Sequence, residues 1–424
     1  MRKVTCLIQL LFAIQGFAQT QVSLQQCQEL AIKNHPWTSQ EGYYKELEQL
    51  NSKSINTAWY PTITLAGQAT WQSDVTTLEL NLPANSPIQI DQPKHRHDQY
   101  KTTLEIKQTI YDGGLTKGRK LIEQADLEVS TQAATVEIVK VKDLINKMYF
   151  AALVNDKLVE QMTISLETLK QRRLVVESTI RNGVALQSDL DAFDAEIISI
   201  EQKIEDLRMT RESALVNLAK LTGDTSISIK TQIAQPSVDW QPADTIKRQE
   251  LALFDVQVKR VDASSKVIGA GNRPRAFAFS TLGYGNPGLN MFKEGWQPYA
   301  LVGIGFSWVL TDWGKTSRDK RVLGFQKQII DSKRVDFVRN VNVAMESQQT
   351  EIEKLQVQLA TDKKLIDLRE RITRTTASQQ TAGTATSLDY ITQFNKERDA
   401  RIAMEVHKVL LQKAVADYKY LAGE

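Results

Sequence analysis

Counted in heptads from Ile138, the chain places Ile145, Ala152, Val159, Leu166 and Ile180 on the same row, with Arg173 as its polar exception. Val141, Met148, Met162, Leu169 and Val176 form the next row, with Asn155 among them. An apolar seam held over roughly six heptads predicts a coiled-coil helix. Two hundred positions later the same phase collects Val338, Val341, Met345, Ile352, Leu355, Leu359 and Ile366, broken by Gln348, Asp362, Arg369 and Thr373. Elsewhere the period is two. Stretches 62–71 and 103–110 alternate cleanly, 276–285 alternates more weakly, and 300–310 sets Val302, Ile304, Phe306 and Trp308 on one face. These read as strands of about 8–11 residues, the length of a tilted membrane-spanning β-strand.

The constant offset extends beyond the seam. Asp112 and Asp312 are related by it, as are Gly114 and Gly314, Lys120 and Lys320, Gly183 and Gly383, Asp189 and Asp389, Leu221 and Leu421, and Gly223 and Gly423. The chain therefore reads as a tandem duplication. A first repeat spans 19–223, with a helix at 24–58 interrupted by Pro36, two strands, a long helix 113–181 and a helix 188–222. A linker covers 224–243. A second repeat spans 244–424, with a helix at 244–269, two strands, a long helix 313–381 and a helix 387–422. Helix 113–181 would run about 100 Å, and helices 24–58 and 188–222 laid tip to tail match its length.

Composition narrows the class. Hydrophobic residues make up 42% and charged residues 24%, with only 20 Gly and 10 Pro, which favours long uninterrupted elements. Residues 1–18 have a basic start at Arg2 and Lys3, a short apolar run and small residues before Gln19, the layout of a secretory signal peptide. No lipid anchor is expected, because the surroundings of Cys6 and Cys27 lack a lipoprotein site. Removing Arg2 and Lys3 lowers the net charge from +3 to +1 (3 − 2), which gives no footing for nucleic acid. Cys27 alone remains in the mature chain, so no disulfide framework forms. His95 and His97 read as solvated loop residues; His35 and His407 are isolated on helices. No metal site, cofactor site or catalytic constellation is expected, and the protein reads as no enzyme.

Four motifs carry a family resemblance. "YDGGLTKGR" and "TDWGKTSRD" stand where strands pass into long helices, and "NGVALQSDL" and "AGTATSLDY" stand where long helices turn back. Together with "SLQQCQELAIKNHP", "LVNLAKLTGD" and "DYKYLAGE", their order resembles the TolC family of outer membrane efflux proteins over the whole mature chain. The resemblance implies a mixed α/β membrane protein. Each chain would give long helices to a coiled-coil barrel and four strands to a trimeric 12-stranded β-barrel. It implies a homotrimer in the outer membrane lipid of a Gram-negative bacterium, with the helical tunnel extending into the periplasm. Such a duct would passively pass substrates, in tripartite efflux or type I secretion, from a periplasmic adaptor (membrane fusion) protein and an inner membrane pump of RND or ABC type. The other class the sequence allows is a structural or secreted coiled-coil stalk or adhesin, against which the four alternating strands argue. The cargo, the pump's energy source and the role of loop 72–102 are not readable.

Each motif suggests site residues. Asp112, Gly113 and Gly114, with Asp312, Trp313 and Gly314, are strand-to-helix junctions where a carboxylate cap and glycine freedom belong. Gly183, Val184 and Asp189, with Gly383 and Thr384, mark hairpin tips for adaptor docking. Trp71, Trp308 and Trp313 suit either an interfacial aromatic belt or ordinary packing. By resemblance Asp389 falls on an inward carboxylate at the periplasmic mouth, three copies forming a ring that selects cations. The competing role is a helix N-terminal cap, which Asp189 could share. Thr392 stands where a second acidic ring can occur, and Gln380 and Ala385 replace residues that tie the mouth shut, so the sequence leaves open how a closed state is held.

Overall fold

The computed structural model describes residues 21–76, 96–183, 185–293 and 295–424. The signal segment 1–18, His95, Val184 and most of loop 72–102 lie outside the described residues. The chain forms two compact units, 1–40 with 133–252 and 334–424, and 41–132 with 253–333. Neither unit is one of the sequence repeats, since each takes segments from both halves.

The first unit is almost wholly helical. A two-residue strand β1 (Gln21–Val22) leads into α1 (Leu24–Lys33), whose start is a reciprocal cap: the Ser23 hydroxyl accepts from the Gln26 amide, and the Gln26 side chain accepts from the Ser23 amide. Proline at position 36 ends α1, and a 3-10 turn (Pro36–Ser39) precedes α2 (Gln40–Asn56), which belongs mainly to the second unit. The long helix expected over 113–181 is divided at Lys140 into α3 (Leu115–Val139) and α4 (Val141–Arg181). There the Asp143 amide bonds the Lys140 carbonyl, a tighter i→i−3 turn inside a backbone that stays helical. Then come α5 (Gln187–Thr222), β4 (Gln232–Ile233), and α6 (Gln249–Gly271), which starts later than 244; most of α3 and of α6 belongs to the second unit. The helix α7 (Lys315–Thr381) is unbroken over 67 residues and is followed by α8 (Ser387–Ala422).

Part of the seam is buried, namely Val141, Ile145, Ala152, Leu169 and Val176 on α4 and Val341, Met345, Ile352, Leu355 and Ile366 on α7, and α4 also buries Asn146, Tyr149, Phe150 and Leu153 off the seam. Three of the seam's polar exceptions find partners, which offsets the cost of placing them on a packed seam. Arg173 forks onto the Asp194 carboxylate, Asp362 meets His407 Nδ1 at 2.7 Å, and the Thr373 hydroxyl bonds the Arg369 and Gln393 carbonyls. Tyr149, fully buried, places its hydroxyl 2.5 Å from the Ala234 carbonyl and 3.1 Å from that of Val22, clasping the parallel pair of β1 and β4.

The second unit is built on one antiparallel sheet. Strands β2 (Thr62–Trp71), β3 (Asp98–Tyr111), β5 (Arg275–Asn286) and β6 (Gln297–Ser307) lie in the order β2-β3-β5-β6. β3 begins at residue 98, earlier than its alternation predicts, because backbone pairing of the polar Asp98–Tyr100 with β2 needs no apolar side chains. β6 spans 297–307 instead of 300–310, leaving the ladder before Trp308, whose indole N–H donates to the Asn272 carbonyl at 3.0 Å. Register aligns Leu65, Leu104, Leu282 and Ala300 across the sheet, and beside them Ile63, Ile106, Ser280 and Val302. That face is apolar and much of it is exposed: Ile63, Leu65, Val302, Ile304 and Phe306 stand open. The opposite face carries Thr64, Glu105, Thr281 and Leu301 in one row and Thr62, Lys107, Phe279 and Gly303 in the next, polar on β2 and β3 and largely apolar on β5 and β6. Here Tyr299 and Phe279 lie flat over Gly283 and Gly303, so close that a Cβ on either glycine would meet a ring carbon at 2.0 or 2.7 Å. Among the described residues, neither β2 nor β6 has a partner on its outer edge.

Candidate functional site: junctions and hairpin tips

The two junctions share one arrangement, which follows from the pattern Asp-x-Gly-x-Thr. At the first, Asp112 Oδ1 accepts from the Gly114 amide at 2.8 Å and Oδ2 from the Thr116 amide at 2.6 Å. At the second, Asp312 accepts from Gly314 at 3.0 Å and Thr316 at 2.8 Å, and also from the Asn272 side chain at 2.7 Å. One carboxylate thus satisfies two of the amides a helix start leaves unpaired. Gly114 and Gly314 hold φ of +89° and +75°, which explains glycine at both. Burial pushes the Asp112 carboxyl up, but the bonds from Thr116 and Gly114 outweigh it and hold it below the usual range. Asp312 is held well below that range by Thr316 first and Asn272 next.

Asp112 is only 8% exposed, so Asp112→Ala should cost about 1–2 kcal/mol, the usual loss for a helix cap. Thermal unfolding in detergent checks this. Because the folded carboxyl is depressed, its contribution is present above the unfolded carboxylate range and is lost as pH falls through the folded value. The gap between wild type and variant should therefore close in acid.

At the tips, Gly183 (φ +75°) and Gly383 (φ +76°) end α4 and α7, each donating back to a carbonyl of its helix. The second tip is closed further by the Thr384 amide and hydroxyl, which bond the Gln379 carbonyl at 2.9 and 3.1 Å. Asp189 accepts from the Leu186 amide at 3.1 Å. Asp389 accepts from the Thr386 amide at 3.0 Å and hydroxyl at 2.7 Å, while its own amide donates to that hydroxyl at 3.1 Å. The Thr386 hydroxyl, then its amide, holds the Asp389 carboxyl below the usual range. The capping role weighed for Asp389 is thus present within one chain. Thr392 bonds the Leu388 carbonyl of its own helix.

Sequence reading missed Arg172. From α4, its guanidinium reaches across to the end of α7, donating to the Ala377 carbonyl at 2.6 Å, Gln380 Oε1 at 2.9 and 3.1 Å, and the Thr381 hydroxyl at 3.2 Å. It lies 5.0 Å from the Tyr390 ring, which stacks between Phe193 and Phe394. Gln380 passes the tie on, its amide donating to the Ser387 hydroxyl at 2.9 Å. In the sequence Gln380 is a departure from the family's pattern; in the structure it joins the two hairpins. Among the described residues no group of acids, histidines and cysteines could hold a metal. His97 Nδ1 lies 2.8 Å from the Gln72 carbonyl, and its ring stacks on Trp71. No described helix is long and apolar enough to cross a membrane.

No protein-family model and no curated protein sequence matches the chain. Solved structures do. The outer membrane protein VceC of Vibrio cholerae is similar at 13% identity with a TM-score of 0.65, covering 94% of this chain and 96% of that one. The outer membrane channel OprN is similar at 15% identity and TM-score 0.67, covering 94% and 89%. The CmeC outer membrane channel of Campylobacter jejuni is similar at 14% identity and TM-score 0.63, covering 94% and 85%. Likeness at such identity speaks for the fold. The chain has the fold of these outer membrane channels, as the resemblance of its motifs implies.

Proposed function

We propose that the protein is the outer membrane exit duct of a tripartite efflux or type I secretion system, assembled as a homotrimer. The observation that carries this reading is the sheet. It has an exposed apolar face, an opposite face that is polar on β2 and β3 with Glu105 and Lys107, and two outer edges without partners among the described residues. In lipid, an open edge leaves backbone groups unsatisfied at several kcal/mol each. Three copies supply twelve strands and close the edges. The apolar face then meets lipid, and the opposite face lines the lumen. Aromatic residues sit near both ends of the strands, with Trp71, Tyr100, Tyr284 and Trp296 at one end and Phe306 and Trp308 at the other, as girdles of a membrane barrel do. The tips around Gly183 and Gly383 would meet a periplasmic adaptor coupled to an inner membrane RND or ABC pump, with Val184 and Thr384 as reporter positions. Transport itself would be passive.

Light scattering on the detergent-solubilised protein should give three times the mature mass after detergent is subtracted, and the same material should conduct ions in planar bilayers. A stable monodisperse monomer that does not conduct would overturn the proposal.

A further inference from the structure

We propose that the start of α7 is a docking surface for the anionic headgroups of the phospholipid leaflet on its side of the barrel. This rests on the membrane-barrel reading and adds a partner chemistry to it. The first observation is Trp313. It is a non-glycine residue with positive φ, at +52°, a backbone that a bulky L side chain rarely adopts. Its counterpart in the first repeat is Gly113, with φ +72° and a Cβ position only 2.9 Å from Arg273 Cβ. The second repeat places an indole on that unfavourable backbone and leaves it 88% exposed. A strained residue that returns so little packing points to a contact outside the chain.

The second observation is charge. α7 has no acidic residue in its first turn, where acids would complement the helix dipole. Its first two turns carry Lys315, Arg318, Lys320 and Arg321 with Asp319 as the one acid, and the first two turns of α3 carry Lys117, Arg119 and Lys120 with none. Asp319 pairs with Lys315 at 2.5 Å, while Arg318, Lys320 and Arg321 stand exposed. The free helix amides are no competing anion site, because Asp312 already occupies those of Gly314 and Thr316.

The third observation is order. Val302, Ile304 and Phe306 stand open on the apolar face of β6, followed by exposed Trp308, Val309 and Leu310, then Trp313, then the cations. Apolar, indole, cation is the sequence of layers from acyl chain through interface to phosphate. Arg318 also donates to the Trp313 carbonyl at 2.9 Å, coupling the indole's backbone to the basic turn.

The test reconstitutes the full chain into bilayers of phosphatidylcholine alone and of phosphatidylcholine with phosphatidylglycerol. Native mass spectrometry counts retained phosphatidylglycerol, and thermal midpoints are read in both lipids and in detergent. Wild type should retain phosphatidylglycerol and melt higher in its presence. Lys320→Glu combined with Arg321→Glu should reduce retention severalfold and abolish the added midpoint. Trp313→Gly should raise the midpoint in detergent, where strain is relieved, yet narrow the gain in phosphatidylglycerol. If wild type inserts and conducts but the variants retain phosphatidylglycerol as it does, this proposal falls and the barrel reading stands. If wild type does not insert at all, both fall.

Discussion

Arg172→Ala should raise the conductance of the reconstituted protein severalfold while leaving its trimer intact. The guanidinium spans from α4 to the last turn of α7 and the first of α8, with four donor contacts and a ring beneath it. Hydrogen bonds to a charged group contribute about 1.5–3 kcal/mol each in favourable settings, and truncation leaves Gln380 Oε1 and the Ala377 carbonyl short of donors. A net loss of about 2–3 kcal/mol, allowing for water at this half-buried site, favours parted hairpins by a factor of roughly 30–150. Arg172→Lys should fall between, since an ammonium keeps the charge but cannot reproduce the fork. Planar-bilayer recordings of conductance and open time, with the oligomer checked by light scattering, decide the matter. An unchanged conductance with a lowered melting temperature would make the contact a structural tie and no part of a gate.

Why Arg172 escaped the sequence is physical. Its partners lie up to 209 positions away, and beside Arg173 it looks like one of a pair of solvated cations on a helix. Local rules reach one or two turns along the chain; this tie depends on how two hairpins pack. What was legible followed from periods. The seam on α4 and α7 was visible because burial repeats every three to four residues, and its polar members at Arg173 and Asp362 were visible as exceptions, though not their partners Asp194 and His407. The junctions were legible because Asp-x-Gly-x-Thr encodes its hydrogen bonds locally. Strand ends were not, since Asp98 and Gln99 pair through their backbone whatever their side chains. The division at Lys140 left no sequence mark, because a single i→i−3 turn needs neither proline nor glycine. The same contrast separates the comparisons. At 12–15% identity few residues are shared with the solved channels, yet the order and spacing of the elements persist, because length and period are what their packing needs.

Asp389→Asn should remove the cation preference of the open channel and its block by multivalent cations. Within one chain Asp389 accepts from the Thr386 amide and hydroxyl, so the carboxylate is fixed at the start of α8 and exposed to solvent. In the proposed trimer three such groups surround one axis, and three negative charges in a constriction hold cations more firmly than any one alone. Asparagine separates the two roles that the sequence left open. Its side-chain oxygen can still accept from Thr386, so the cap largely survives while the charge goes. The hydrogen bonds that hold the Asp389 carboxyl low also set the pH dependence. The charge is lost as pH falls through the folded value, which the Thr386 bonds lower and mutual repulsion among the three carboxylates raises, so cation preference should fade in acid. Asp189→Asn, at the matching place on the first hairpin, is the control and should leave selectivity unchanged. Reversal potentials in asymmetric salt, read for both variants against wild type across pH, measure the effect. If Asp389→Asn keeps wild-type selectivity and block, the ring is wrong and Asp389 is a cap alone.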